Sequence, residues 1–133
     1  MEDSIIEDSI KVDLEGNLYF QGQKLTHEKI IEFFKKLDLE KIDDETFQLK
    51  WQNNNQTQRI NVIPEDTVFV IKDVVKENNE IKLVINDETM EKLDTSVIEF
   101  EGNIPYTTIK RGRIKARFNR LAAFKLGEVI LGS

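Results

Sequence analysis

Seven cations and no anion fall within residues 104–127: Lys110, Arg111, Arg113, Lys115, Arg117, Arg120 and Lys125. The whole chain carries a net charge of −6, so this segment contributes +7 and the other residues together −13. Guanidinium forks pair bidentately with phosphate or carboxylate. If a helix starts at Arg113, then Arg113, Arg117 and Arg120 stand at i, i+4 and i+7 and share one face. Lys110 and Arg111 then precede that helix, beside backbone amides that attract anions. The chemistry this suits is binding of an anionic, nucleotide-like small molecule by Arg111, Arg113, Arg117 and Arg120, with Tyr106 flanking it. Two other readings stay open. The basic helix could meet an acidic protein partner, or the basic face could be solvated or paired with the protein's own carboxylates. Nucleic acid is disfavoured, because the total charge is acidic and few aromatics interleave the basic block.

Other residue types offer little for catalysis. His27 is the one histidine and there is no cysteine, so thiolate chemistry and a histidine-based metal set are both excluded. The acidic pairs Glu65-Asp66 and Asp87-Glu88 read as turns or caps, without calcium-loop spacing. The six glycines are scattered, so no phosphate loop is present, and no serine has a glycine-flanked nucleophile elbow. Phe47 and Trp51 alternate as core or sheet-face residues do, with ligand stacking on Trp51 as the functional option. The expectation is a non-enzymatic protein with no cofactor and no metal.

The elements that would position these residues follow from periodicity. Residues 10–14 and 18–21 read as strands around a Glu15-Gly16-Asn17 turn. Thr26 reads as an N-cap, and Ile30, Ile31, Phe33, Phe34 and Leu37 form an apolar stripe, which predicts a helix over 27–38. Phe47 to Trp51 and Ile60 to Val62 alternate around a polar loop. Val68 to Val75 and Ile81 to Ile85 form a second hairpin. Val97 to Phe100 and Tyr106 to Ile109 form a third, across Glu101-Gly102-Asn103. Ile114, Phe118, Leu121, Ala122 and Leu126 fall on one stripe, which predicts a second helix from Arg113 to about Gly127 and a short apolar tail after it.

A length of 133 residues suits one small domain or two subdomains. The fold class expected is α+β, with two small sequential subdomains of antiparallel strands, each carrying one helix. The divisions are a flexible acidic N-terminus at 1–9, an N-terminal subdomain at 10–65 and a C-terminal subdomain at 66–133. The shared tripeptide Glu15-Gly16-Asn17 and Glu101-Gly102-Asn103, each between strands that lead to a helix, suggests an internal duplication. The acidic start is unlike a secretory signal, and no apolar run approaches the roughly 20 residues that span a bilayer. A cytoplasmic location is therefore expected, with no membrane span.

Several pieces, taken in order, resemble the bacterial domain of unknown function 1285 family. They are Asp13 to Gly22, the helix from Ile30 to Leu37, and Arg59 to Val62 running on through Glu65 to Val70. Pro105-Tyr106, Ile109 to Gly112, Ala116-Arg117 and Arg120 complete the set. The resemblance covers about 10–131. It implies two related subdomains, the second like a pleckstrin-homology half-barrel. It also implies a nucleotide-type ligand near the subdomain interface and a role in signal transduction.

Overall fold

The computed structural model describes residues 2–36, 38–42, 46–53, 56–112 and 114–131, with side chains described outside 2–7, 35–36, 51–53 and 131. The chain divides into two compact units. Unit 1 is Met1–Asp13 with Asn17–Val68, and unit 2 is Leu14–Gly16 with Phe69–Ser133. The architecture is α+β: two six-stranded sheets, each with a helix, the second sheet curled into a half-barrel.

In unit 1, β1 (Glu2–Val12), β2 (Leu18–Phe20) and β3 (Gln23–Lys24) form an antiparallel meander. The N-terminus at 1–9, predicted as a flexible acidic segment, is from Glu2 onward part of β1, whose backbone pairs with β6. Helix α1 (His27–Lys36) follows. Its cap is the one expected from sequence, since Thr26 Oγ1 accepts from the Lys29 N–H at 3.3 Å. Ile30 is buried, and Phe33 meets Phe20 of β2 with ring centroids 6.3 Å apart. Leu37 lies outside the described residues. Then β4 (Asp38–Lys41), β5 (Phe47–Asn53) and β6 (Gln56–Pro64) form a second antiparallel meander. Phe47 and Leu49 are buried on the face that their alternation predicts, whereas Trp51 has no described side chain.

Unit 2 repeats this wiring. The strands β7 (Phe69–Glu77), β8 (Glu80–Ile85) and β9 (Met90–Lys92) form its first meander. After one turn of 3-10 helix at Thr95–Val97 come β10 (Glu99–Glu101), β11 (Ile104–Ile109) and β12 (Ile114–Phe118). The strand orders are β3-β2-β1-β6-β5-β4 and β10-β11-β12-β7-β8-β9. Each sheet thus runs outward from its centre in three strands, crosses to the other edge and returns in three. The first and last strands, β1 with β6 and β7 with β12, meet as a parallel central pair. The antiparallel strands expected from the sequence are present in every neighbouring pair but this central one. The parallel pair arises because the chain crosses the sheet between meanders, and a hairpin cannot make such a connection.

The duplication read from the sequence is present as topology, but in another register. The β1–β2 turn holding Gly16 corresponds in the wiring to the β7–β8 turn at Asn78-Asn79, not to the β10–β11 turn holding Gly102. Both asparagines have positive φ, 51° and 66°, as a tight hairpin turn requires. The two helices are not counterparts either: α1 joins the meanders of unit 1, and α2 (Arg120–Leu131) follows those of unit 2.

Candidate functional site

The basic block does not form one helix. Ile114–Phe118 is the strand β12, and α2 starts only at Arg120. Asn119 separates them. Its Oδ1 accepts from the Ala122 N–H at 2.9 Å as an N-cap, and its own N–H donates to the Ile71 carbonyl at 3.0 Å. The spacing of Ile114 and Phe118 satisfies a helical stripe and a strand equally. Ala116 settles the period, because Ala116 and Phe118 are buried while Lys115 is exposed and Arg117 half-buried. The helix also runs through Gly127 to Leu131, so the expected apolar tail is helical.

The predicted arginine face is therefore dispersed over three elements. Arg111 is exposed in the β11–β12 turn with φ +63°. Arg113 lies outside the described residues. Arg117 is on β12, opposite Tyr106 of β11 and Val70 of β7. Arg120 is exposed at the first residue of α2. β12 is five residues long, about 16 Å of strand, and Arg111 and Arg120 flank its two ends. They cannot share one phosphate-sized group unless both side chains extend fully along the strand. Tyr106, only 6% exposed, lies beneath the Lys115 ammonium, whose Nζ is 4.3 Å from the ring centroid. A depression of about 340 Å³ beside it is lined by Tyr106, Lys115, Glu99 and the 3-10 turn.

Acids from elsewhere in unit 2 neutralise the lysines of the block. Lys110 Nζ donates to Asp87 Oδ2 at 2.9 Å and to Thr89 Oγ1 at 3.1 Å, and sits 5.3 Å from the Phe69 ring centroid. The Lys110 N–H donates to both Glu91 carboxylate oxygens, at 3.2 and 3.1 Å. Asp87 is buried and also accepts from the Thr89 hydroxyl and N–H. Lys115 pairs with Glu101 at 3.1 Å, and Lys125 with Asp73 at 2.7 Å. Unit 2 holds eleven Lys/Arg and eleven Asp/Glu, whereas unit 1 holds eight against fourteen. The acidity of the chain thus belongs to unit 1. Among the described residues, Arg111 and Arg120 are the arginines of the block without an ion pair.

Sequence reasoning missed the Asp87–Lys110–Glu91 cluster. Asp87 and Lys110 are 23 positions apart, and only the β8–β9 and β11–β12 turns bring them together. Among the described residues, no three His, Cys, Asp or Glu side chains group closely enough to hold a metal ion. His27 is exposed in the first turn of α1. Among the described residues, no helix is long and apolar enough to cross a membrane.

No family model matches the chain, and no curated protein matches it. The structure is similar to a crystal structure of a domain of unknown function 1285 (DUF1285) family protein from Shewanella baltica OS155. The TM-score is 0.67 at 16% sequence identity, with 92% of each chain covered. The likeness extends over nearly the whole fold and agrees with the resemblance found in the sequence.

Proposed function

We propose that this chain is a non-enzymatic recognition module that engages an extended acidic partner through the arginines of unit 2. The supporting observation is the placement of Arg111 and Arg120 at opposite ends of β12, both exposed and neither held by a carboxylate among the described residues. Next to Arg120, Leu121 and Phe124 of α2 are 49% and 67% exposed. Arginine beside an exposed aromatic is a common composition for a binding hot spot. A partner carrying acidic and apolar residues along its length would satisfy both features. A small anion would need the arginines to converge. Such a recognition step also suits the signalling role that the family resemblance implies.

The test is fluorescence anisotropy with a labelled acidic peptide carrying Leu and Phe, at low and physiological salt. Phe124→Ala is expected to weaken binding by about tenfold or more. Arg111→Glu with Arg120→Glu is expected to weaken it by about fivefold, with loss of its salt dependence. Binding that ignores both variants while they stay folded overturns the proposal. A rise in melting temperature with nucleotides, abolished by Arg117→Ala, would return the site to a small anion.

A further inference from the structure

Unit 1 carries a different chemistry, at an irregularity in the middle of its sheet. In the parallel pair, Ile6 stands opposite Ile60 and Ile10 opposite Val62. Between those points β1 uses three residues where β6 uses one, so residues 7–9 bulge away from the ladder. The bulge borders a cleft of about 560 Å³, within the range of small-ligand sites. Among the described lining residues, Asp8, Asp13 and Glu65 bring three carboxylates and Lys11 brings an ammonium. Ile63, 47% exposed, and Pro64 supply an apolar wall.

The polar groups of this cleft are held by specific bonds. Asp13 Oδ1 accepts from the Asn17 N–H at 2.8 Å, and Asp13 Oδ2 accepts from Asn17 Nδ2 at 3.1 Å and from the Tyr19 hydroxyl at 3.3 Å. The Tyr19 phenol is pushed to a higher pKa by desolvation first, then by the Asp13 charge and the hydrogen bond to it. It therefore stays a neutral donor with its ring beside the carboxylate. Asp8 Oδ2 accepts from Gln21 Nε2 at 2.8 Å. The backbone N–H of Glu65 donates to the Val12 carbonyl at 2.8 Å, which fixes the end of β6 against β1 while the Glu65 side chain remains exposed.

We infer that this cleft binds an organic cation, through an alkylammonium or guanidinium group. Among the described lining residues carboxylates outnumber ammonium groups three to one, and in a unit whose own charge is −6 this gives a negative potential in a concavity. The carboxylates do not gather at metal-ligand spacing. Spread over β1, the β1–β2 turn and the end of β6, they suit a ligand with more than one positive centre. The apolar wall of Ile63 and Pro64 suits the methylene chain between such centres. The chemistry is shared by a free polyamine and by the Lys or Arg side chains of a peptide. This inference stands on unit 1 alone and does not depend on the acidic partner proposed for unit 2.

Isothermal titration of the full chain at low ionic strength, with spermidine and separately with a tri-arginine peptide, tests it. At least one probe is expected to bind, with affinity falling as salt rises. The double substitution Asp8→Asn with Glu65→Gln removes two exposed charges and is expected to weaken binding by about tenfold. Glu28→Gln, which removes an exposed charge of α1 outside the cleft, is expected to leave it unchanged. Binding of spermidine alone identifies a small-molecule cation, and binding of the peptide alone identifies a protein segment. No binding of either probe at millimolar concentration overturns the inference. Binding that the folded double variant retains in full also overturns it.

Discussion

Gly16 and Gly102 occupy the middle of the same tripeptide, in hairpin turns, with φ of +93° and +63°. Their surroundings are opposite. Gly16 is buried, and a Cβ there would meet Val70 Cβ and Cγ1 at 3.1 Å and Asn86 Cβ at 3.3 Å. Its neighbour Glu15 offers a carbonyl to Asn119 Nδ2 at 3.1 Å. Gly102 is exposed, with nothing within 4 Å of where a Cβ would stand. The repeated letters record one local need, a backbone that turns through the left-handed region. They carry no information on packing. They also misalign the two halves, because the wiring pairs the Gly16 turn with Asn78-Asn79.

Substitution to alanine separates the two requirements. Gly102→Ala meets only the left-handed penalty, about 1 kcal/mol. Gly16→Ala meets that penalty and the crowding against Val70, together about 2–4 kcal/mol. Chemical denaturation of the two variants measures both. Equal losses would break the comparison and show that Val70 yields freely.

The same contrast recurs between two lysines of the basic block. Lys110 is 30% exposed and faces a buried Asp87 whose side chain is 8% exposed, whereas Lys115 and its partner Glu101 are 50% and 59% exposed. Removing Lys110 strands a carboxylate that has little water to turn to. Lys110→Met is expected to cost about 1–2 kcal/mol, below the range for fully buried pairs because Lys110 is partly solvated. Lys115→Met is expected to cost under about 0.5 kcal/mol. Adding Asp87→Asn should recover part of the Lys110→Met loss. A double-mutant cycle with no coupling would show that the pair contributes nothing specific.

The connectors between meanders give the smallest and most selective contrast. α1 is capped by a hydroxyl, Thr26 Oγ1, which does not titrate. The 3-10 turn of unit 2 is capped by Asp94, whose Oδ1 accepts from the Ser96 N–H at 3.0 Å and the Ser96 hydroxyl at 2.6 Å. Those bonds, the Ser96 side chain first, hold the Asp94 carboxyl below its ordinary pKa. A carboxyl lowered in the folded state contributes stability above its unfolded pKa and loses it as pH falls through the folded value. In an acid titration followed by NMR, the Ser96 amide should report a midpoint below that of an unperturbed aspartate. The Lys29 amide should show no step of that origin. A Ser96 midpoint at the ordinary aspartate value would remove the distinction.

Several elements were legible because their signals are local. Thr26 and the Ile30–Phe34 stripe located α1, and the alternation of Phe47, Leu49, Ile60 and Val62 located the β5–β6 hairpin. The segment 113–118 was not legible, since Ile114 and Phe118 fit both periods. What decided it was strand pairing on both sides, with β11 over Ile114 to Arg117 and with β7 over Ala116 to Phe118. β1 was likewise cut short in the sequence reading, because its partner β6 lies some fifty residues away and nothing in Glu2 to Asp8 announces it. For the candidate site, the cations were plain in the sequence and their neutralisation was not. Asp73, Asp87, Glu91 and Glu101 come from strands and turns outside the block.

By itself the sequence determined what depends on neighbours along the chain: the cap of α1, several tight turns, four of the eight hairpins, the α+β class and the positions of charge. Tertiary structure alone decided which strands pair in parallel at each sheet centre, whether residues 114–118 coil or extend, and which cations keep their charge exposed. The physical reason is range. A turn or a cap is closed by atoms a few residues apart, whereas strand pairing and charge compensation are settled between segments that meet only after the chain has folded.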